Sequence, residues 1–92
     1  MNFDFDLIRE SYDAIREEAI NDGIKWTFTP MLDMSREHRW GRIVEGPGED
    51  PYLASEMSRA IVKGFQGEDY SRKDRVAACV KHYLGYGASE GG

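Results

Sequence analysis

The chain has 92 residues, 40% of them hydrophobic, 32% charged and 12% aromatic, with a formal net charge of −5. That balance belongs to an ordinary globular chain and excludes collagen, a mucin-like stalk or long disorder. Acidity without a basic stripe argues against a nucleic-acid partner, and no apolar run approaches the roughly 20 residues needed to span a bilayer.

The first residues, Met1-Asn2-Phe3-Asp4-Phe5-Asp6, are acidic and lack the basic start and apolar block of a secretory signal. Cys79 is the single cysteine, so no internal disulfide forms. A lone thiol fits a reducing compartment or simply a piece of something larger; with neither a secretory signal nor a membrane span in these residues the cytoplasm is slightly favoured, and localisation is otherwise open.

From about Asp6 to Asp22 the spacing predicts a helix. Ile8, Tyr12, Ile15 and Ala19 recur at the helical period, Asp4 or Asp6 is placed to cap the start, and Gly23 to stop it. Ile24-Lys25-Trp26-Thr27-Phe28-Thr29 is rich in β-branched and aromatic residues and predicts a strand ended by Pro30. Met31 to Glu49 is a long connection, and long loops bearing rigid side chains are usually functional. Asp50-Pro51 opens a second helix with the stripe Leu53, Met57, Ala60, Ile61, Gly64 and Phe65, closed by Gly67. Glu68 to Arg75 reads as a charged surface turn. Val76-Ala77-Ala78-Cys79-Val80 predicts a strand covered on both faces, and Gly85 to Gly92 a loop.

Strand, long loop, helix and strand in this order predict parallel strands in a right-handed βαβ unit with a preceding helix. Ligands of such units sit beyond the carboxyl ends of the strands. The cluster Arg36-Glu37-His38-Arg39-Trp40-Gly41-Arg42 follows the first predicted strand and Lys81-His82-Tyr83 ends the second, so both fall on one rim. A guanidinium offers a rigid fork of donors and an indole an apolar face, which suits a hydroxyl-rich ring. A complete (β/α)₈ barrel needs roughly 250 residues, so residues 1–92 read as a partial TIM barrel of class α/β, about a third of the whole.

Arg39 is expected to fasten the loop by pairing with Glu45, Glu49 or Asp50, whereas Arg42 is expected to touch ligand. Trp40 is expected to pack beneath the loop. Lys81 after Cys79-Val80 would be costly if buried unpaired, which favours a functional role; His82 divides evenly between a ligand hydroxyl and a backbone group. His38 and His82 match no metal-ligand spacing, Cys79 is a core residue, and Gly46-Pro47-Gly48 lacks the residues of a phosphate loop. Asp33, Glu45, Glu49, Asp50 and Glu90 are the carboxylates on the presumed rim, and no pair among them stands out as catalytic.

The series Trp26-Thr27-Phe28-Thr29-Pro30-Met31-Leu32-Asp33, Arg39-Trp40-Gly41-Arg42, Gly48-Glu49-Asp50-Pro51-Tyr52-Leu53, Val80-Lys81-His82-Tyr83 and Tyr86-Gly87-Ala88-Ser89-Glu90-Gly91-Gly92 resembles the N-terminal barrel of glycoside hydrolase family 3. The likeness is greatest to the β-glucosidase and β-xylosidase branch and runs from about Phe5 to the end. It implies part of a retaining, exo-acting β-glycosidase acting on a β-glucoside or β-xyloside. It carries the −1 subsite sugar contacts onto Arg42, Lys81 and His82, with no cofactor and no metal. The family's nucleophile, its acid/base and a further sugar-binding aspartate fall outside these residues, so the catalytic set here is none and the segment alone is expected to be inactive. The remainder of the barrel and a following domain are the implied protein partners. His38 stands where the family often has proline. The competing reading is a non-catalytic carbohydrate-binding or interaction segment.

Overall fold

The computed structural model describes residues 4–90. Met1-Asn2-Phe3, the first half of the acidic start, and the closing pair Gly91-Gly92 lie outside the described residues. Helix α1 spans Phe5–Asn21, and Asp4, not Asp6, is its N-cap, accepting a hydrogen bond from the Leu7 amide at 3.1 Å. Helix α2 spans Pro51–Gln66 with Asp50 as N-cap, accepting from the Tyr52 amide at 2.9 Å, and Pro51 in the first turn. Both starts follow from local chemistry: a carboxylate satisfies an amide that the first turn leaves unpaired.

The two helices pack against each other and bury the core. Ile8 meets Ala60, Ile61 and Phe65, with Tyr12, Ala19 and Ile20 at the margin and Val76 beneath. Tyr12 and Phe65 stack edge to face, centroids 5.2 Å apart. The predicted stripe of α1 needs one correction, because Ile15 is 46% exposed. Its place is taken by Arg16, which is buried and donates to the Gly64 carbonyl at 2.9 Å and to Asp13 at 2.7 Å. The methylene stem lies on the apolar face while the guanidinium satisfies a carbonyl of the other helix.

The predicted strands are corrected more deeply. Among the described residues no strand forms; two extended segments pair in parallel through isolated bridges, Trp26 with Ala77 and Met31 with Lys81. Ala77 donates to Lys25 and Cys79 to Thr29, both at 2.8 Å, while Leu32 donates to Lys81 at 2.8 Å. Between the bridges the first segment advances five residues and the second four. Pro30 falls in that extra length, and a residue without an amide hydrogen cannot continue a ladder. The parallel direction agrees with the prediction; the uninterrupted ladder does not.

Nor is the second segment covered on both faces. Val76 is fully enclosed and Ala78 packs on the helical core, but Val80 is exposed, as are Trp26 and Phe28, which stack on each other at 4.9 Å. Two helices cover one face only. Past the first segment the loop folds back on itself: Ser35 donates to the Gly48 carbonyl at 3.2 Å, and a 3₁₀ turn occupies Ile43–Glu45.

Candidate functional site

Parallel pairing ends at Lys81, where its amide donates to Pro30 and its carbonyl accepts from Leu32. That junction sets the ends of both segments side by side, so Asp33 and His82, 49 residues apart, come into contact. One Asp33 carboxylate oxygen accepts from the His82 amide at 2.9 Å and lies 2.6 Å from the ring Nδ1. The Asp33 side chain is 3% exposed and that of His82 32%. A carboxylate this deeply enclosed would be costly without donors; His82 supplies two.

Arg42 sits just before the 3₁₀ turn, and the turn brings Glu45 back beneath it. The guanidinium donates through Nε and Nη2 to the two carboxylate oxygens at 2.8 and 2.7 Å, a bidentate pair. The hydrogen bond to Glu45, and after it the neighbouring Tyr86, raise the proton affinity of Arg42 above its ordinary value. Glu45 is held below the usual carboxylate value first by its hydrogen bond to Arg42, then by the charge of Arg42 and, more weakly, of Lys81 and, when its ring is protonated, of His82. Glu45 therefore feels all three residues that the sequence singles out.

Tyr86 joins the two walls. Its ring receives the Arg42 guanidinium at 5.3 Å, and it meets His82 edge to face at 4.8 Å and Trp40 at 5.2 Å. Trp40 itself is buried, packing under the loop as expected. The 3₁₀ turn Tyr86–Ala88 comes this close because residue 87 is glycine: a Cβ there would stand 2.5 Å from the Met34 carbonyl oxygen and 3.2 Å from the Trp40 ring.

Lys81 lines two clefts, one of about 320 Å³ with Glu45 and one of about 350 Å³ with Asp33 and His82. It is half-buried and, among the described residues, its ammonium has no hydrogen bond or ion pair. A fully buried lysine would need a partner; here partial exposure to water meets that need. A larger groove of about 550 Å³ lies along α2, walled mostly by aliphatic side chains such as Leu32, Ala54 and Val62, and it holds none of these three residues.

Arg39 fastens the loop, but to a different partner from those expected: its Nε and Nη2 bind Glu37 at 2.7 and 3.1 Å. Two residues apart in one turn, the pair forms before more distant acids are in reach. Asp50 serves as a helix cap, and Glu49 and Glu90 are exposed. Sequence reasoning gave Asp33 no link to His82 and gave Tyr86 no role. The adjoining Trp-Gly-Arg and Tyr-Gly motifs were visible, but not that they would meet.

The sequence profile described as the glycosyl hydrolase family 3 N-terminal domain matches residues 1–92. The chain belongs to this family. Among family 3 relatives, a periplasmic beta-glucosidase of Salmonella typhimurium is 44% identical over 91 residues, 99% of this chain and 12% of that protein. A periplasmic beta-glucosidase/beta-xylosidase of Dickeya chrysanthemi is 39% identical over 97% of this chain and 14% of its own length. In three dimensions the chain superposes on a mutant beta-glucosidase from Listeria innocua in complex with laminaribiose, with TM-score 0.87 and 45% identity, over 96% of this chain and 13% of that one. A beta-glucosidase from Erythrobacter marinus gives TM-score 0.90 at 37% identity over 97% of this chain and 12% of its own. The chain thus spans about an eighth of the length of these relatives. Among the described residues no helix is long and apolar enough to cross a membrane.

Proposed function

We propose that residues 1–92 are a piece of the (β/α)₈ barrel of a retaining, exo-acting β-glycosidase that hydrolyses terminal β-D-glucosyl or β-D-xylosyl residues. In this reading Arg42, Lys81 and His82 hold the hydroxyls of the sugar in the −1 subsite. The nucleophile and the acid/base come from other parts of the protein, two carboxylates about 5 Å apart as retention requires. The observation that carries the reading is the meeting of Arg42 and His82 on one tyrosine ring, with Lys81 lining one cleft with Glu45 and another with His82.

Each group suits that task. Arg42 spends Nε and one Nη2 hydrogen on Glu45 and keeps Nη1 for a ligand. Lys81 is a mobile point charge with three donors at a cleft wall. Charged donors form the stronger hydrogen bonds to hydroxyls, and those that tighten as the ring acquires oxocarbenium character lower the barrier rather than merely improving binding. The names of the relatives support the substrate class, and the laminaribiose-bound Listeria enzyme supports a glucan-type ligand for its own site.

The test is hydrolysis of aryl β-D-glucoside and β-D-xyloside by the intact protein that carries this segment, with the anomer of the first-formed sugar read by NMR. Retention of configuration is expected. Arg42→Ala and Lys81→Ala should each lower kcat/KM by about 10- to 100-fold, the worth of a charged hydrogen bond. An inverted product, or variants as active as the parent, contradicts the reading.

A further inference from the structure

We propose that Asp33 is a positioning residue that fixes the tautomer and orientation of His82 and so sets which ring nitrogen meets the sugar. The inference rests on the sugar-binding reading of His82 and goes beyond it, because one oxygen of the enclosed Asp33 carboxylate is taken up by the histidine itself.

Three observations carry it. One carboxylate oxygen takes both the backbone amide and the ring Nδ1 of the same residue, at 2.9 and 2.6 Å. Two bonds to one histidine fix both where its main chain lies and how its ring is turned. A carboxylate oxygen accepts only, so the Nδ1 it faces bears the hydrogen and Nε2 is left as the acceptor of a neutral ring. Finally, Asp33 is enclosed while the histidine remains partly exposed, so the acid supports the ring from below. Tyr86 packs against the ring at 4.8 Å and limits its rotation from the side.

The backbone of Asp33 is itself held. A Cβ on Gly46 would stand 2.7 Å from the Asp33 carbonyl oxygen, so the chain after the 3₁₀ turn packs directly on it. Arg42 and Glu45 belong to that same stretch, and a fixed Asp33 therefore sets His82 relative to Arg42. A displacement of about 1 Å at a binding group costs up to about 10²-fold in rate.

A double-mutant cycle in the intact protein tests this, using Asp33→Asn, His82→Gln and the pair, assayed on an aryl β-glucoside. Asp33→Asn keeps the shape and removes the charge, and should lower kcat/KM by about 10-fold or more, since charge-assisted bonds are about twice as strong as neutral ones. In the His82→Gln background the same change should cost less than about 3-fold, because coupled residues are non-additive. An equal loss in both backgrounds would mean that Asp33 supports the fold and does not act through the ring, and would overturn the proposal. Nitrogen-15 shifts of the His82 ring give a readout independent of turnover: the parent should show hydrogen on Nδ1, and Asp33→Asn a mixture of tautomers. If His82→Gln leaves activity intact, the sugar-contact reading falls instead, and ring shifts unchanged in Asp33→Asn would then overturn the positioning role by themselves.

Discussion

Arg42 grips Glu45 three residues on through two parallel bonds, a geometry that a guanidinium provides and an ammonium does not. Arg42→Lys retains the charge but loses the planar fork, so the bidentate pair and the free edge cannot both survive. The expected result is a fall in kcat/KM of about 10-fold or more with little change in thermal stability, since exposed ion pairs are worth little. The same pair makes a pH prediction. The folded value of Glu45 is lower than its ordinary value, so the pair's contribution is complete above the usual carboxylate range and is lost as pH falls through the lowered value. Carboxyl carbon shifts of Glu45 should titrate below the ordinary range, and should return to it in Arg42→Gln; an unmoved midpoint contradicts the pairing. The residue types at the site were legible from sequence because arginine, lysine and histidine declare their chemistry. Their fixing partners were less so. Glu45 lies three residues from Arg42, a local partner, whereas Asp33 reaches His82 only through the parallel pairing of distant segments, and no local pattern encodes that.

The two helices show where sequence reading is strong. Their caps and periods are local, and Asp50 with Pro51 specified the start of α2 to the residue. Loss of that cap in Asp50→Ala should cost about 1 kcal/mol in denaturant unfolding of the intact protein. The contact between α1 and α2 depends on a single missing side chain. A Cβ at Gly64 would stand 2.5 Å from that of Tyr12 and 3.0 Å from the Arg9 carbonyl, backbone and rigid stem rather than a flexible tip. Gly64→Ala should therefore destabilise by about 1–3 kcal/mol, the usual cost of overpacking. Ser55→Ala, on the exposed side of α2, should stay within about 0.5 kcal/mol. Equal stability of the Gly64 variant and its parent would refute the close helix approach. Ile15 failed as a core position because a stripe of four leaves the width of the buried face undetermined, and Arg16 could fill it by turning its charge onto a carbonyl. The strands failed for another reason. Residue preference favoured them on both sides, but Pro30 interrupts the pairing, and a ladder needs neighbours on each side to persist.

Across the molecule, the helices cover one side of the paired segments and leave large apolar side chains open on the other. Trp26 at 60% and Phe28 at 62% exposure, with Val80, Tyr83 and Leu84, leave a broad apolar surface open. On the proposed reading as a piece of a barrel, further strands and helices of the same protein would cover this side. The isolated 92-residue segment should accordingly bind a hydrophobic dye and self-associate, while the intact protein does neither; a monomeric, dye-silent segment would argue for a self-sufficient domain. The barrel was inferred from chain length and element order, and its parallel direction is present in the two bridges. Most direct of all is a crystal structure of the intact protein with glucose bound. A shared sugar site predicts Arg42 Nη1, Lys81 Nζ and His82 Nε2 within about 3 Å of hydroxyls on one ring, hydrogen-bond distance. Glucose seated elsewhere, or touching none of these three atoms, would contradict it.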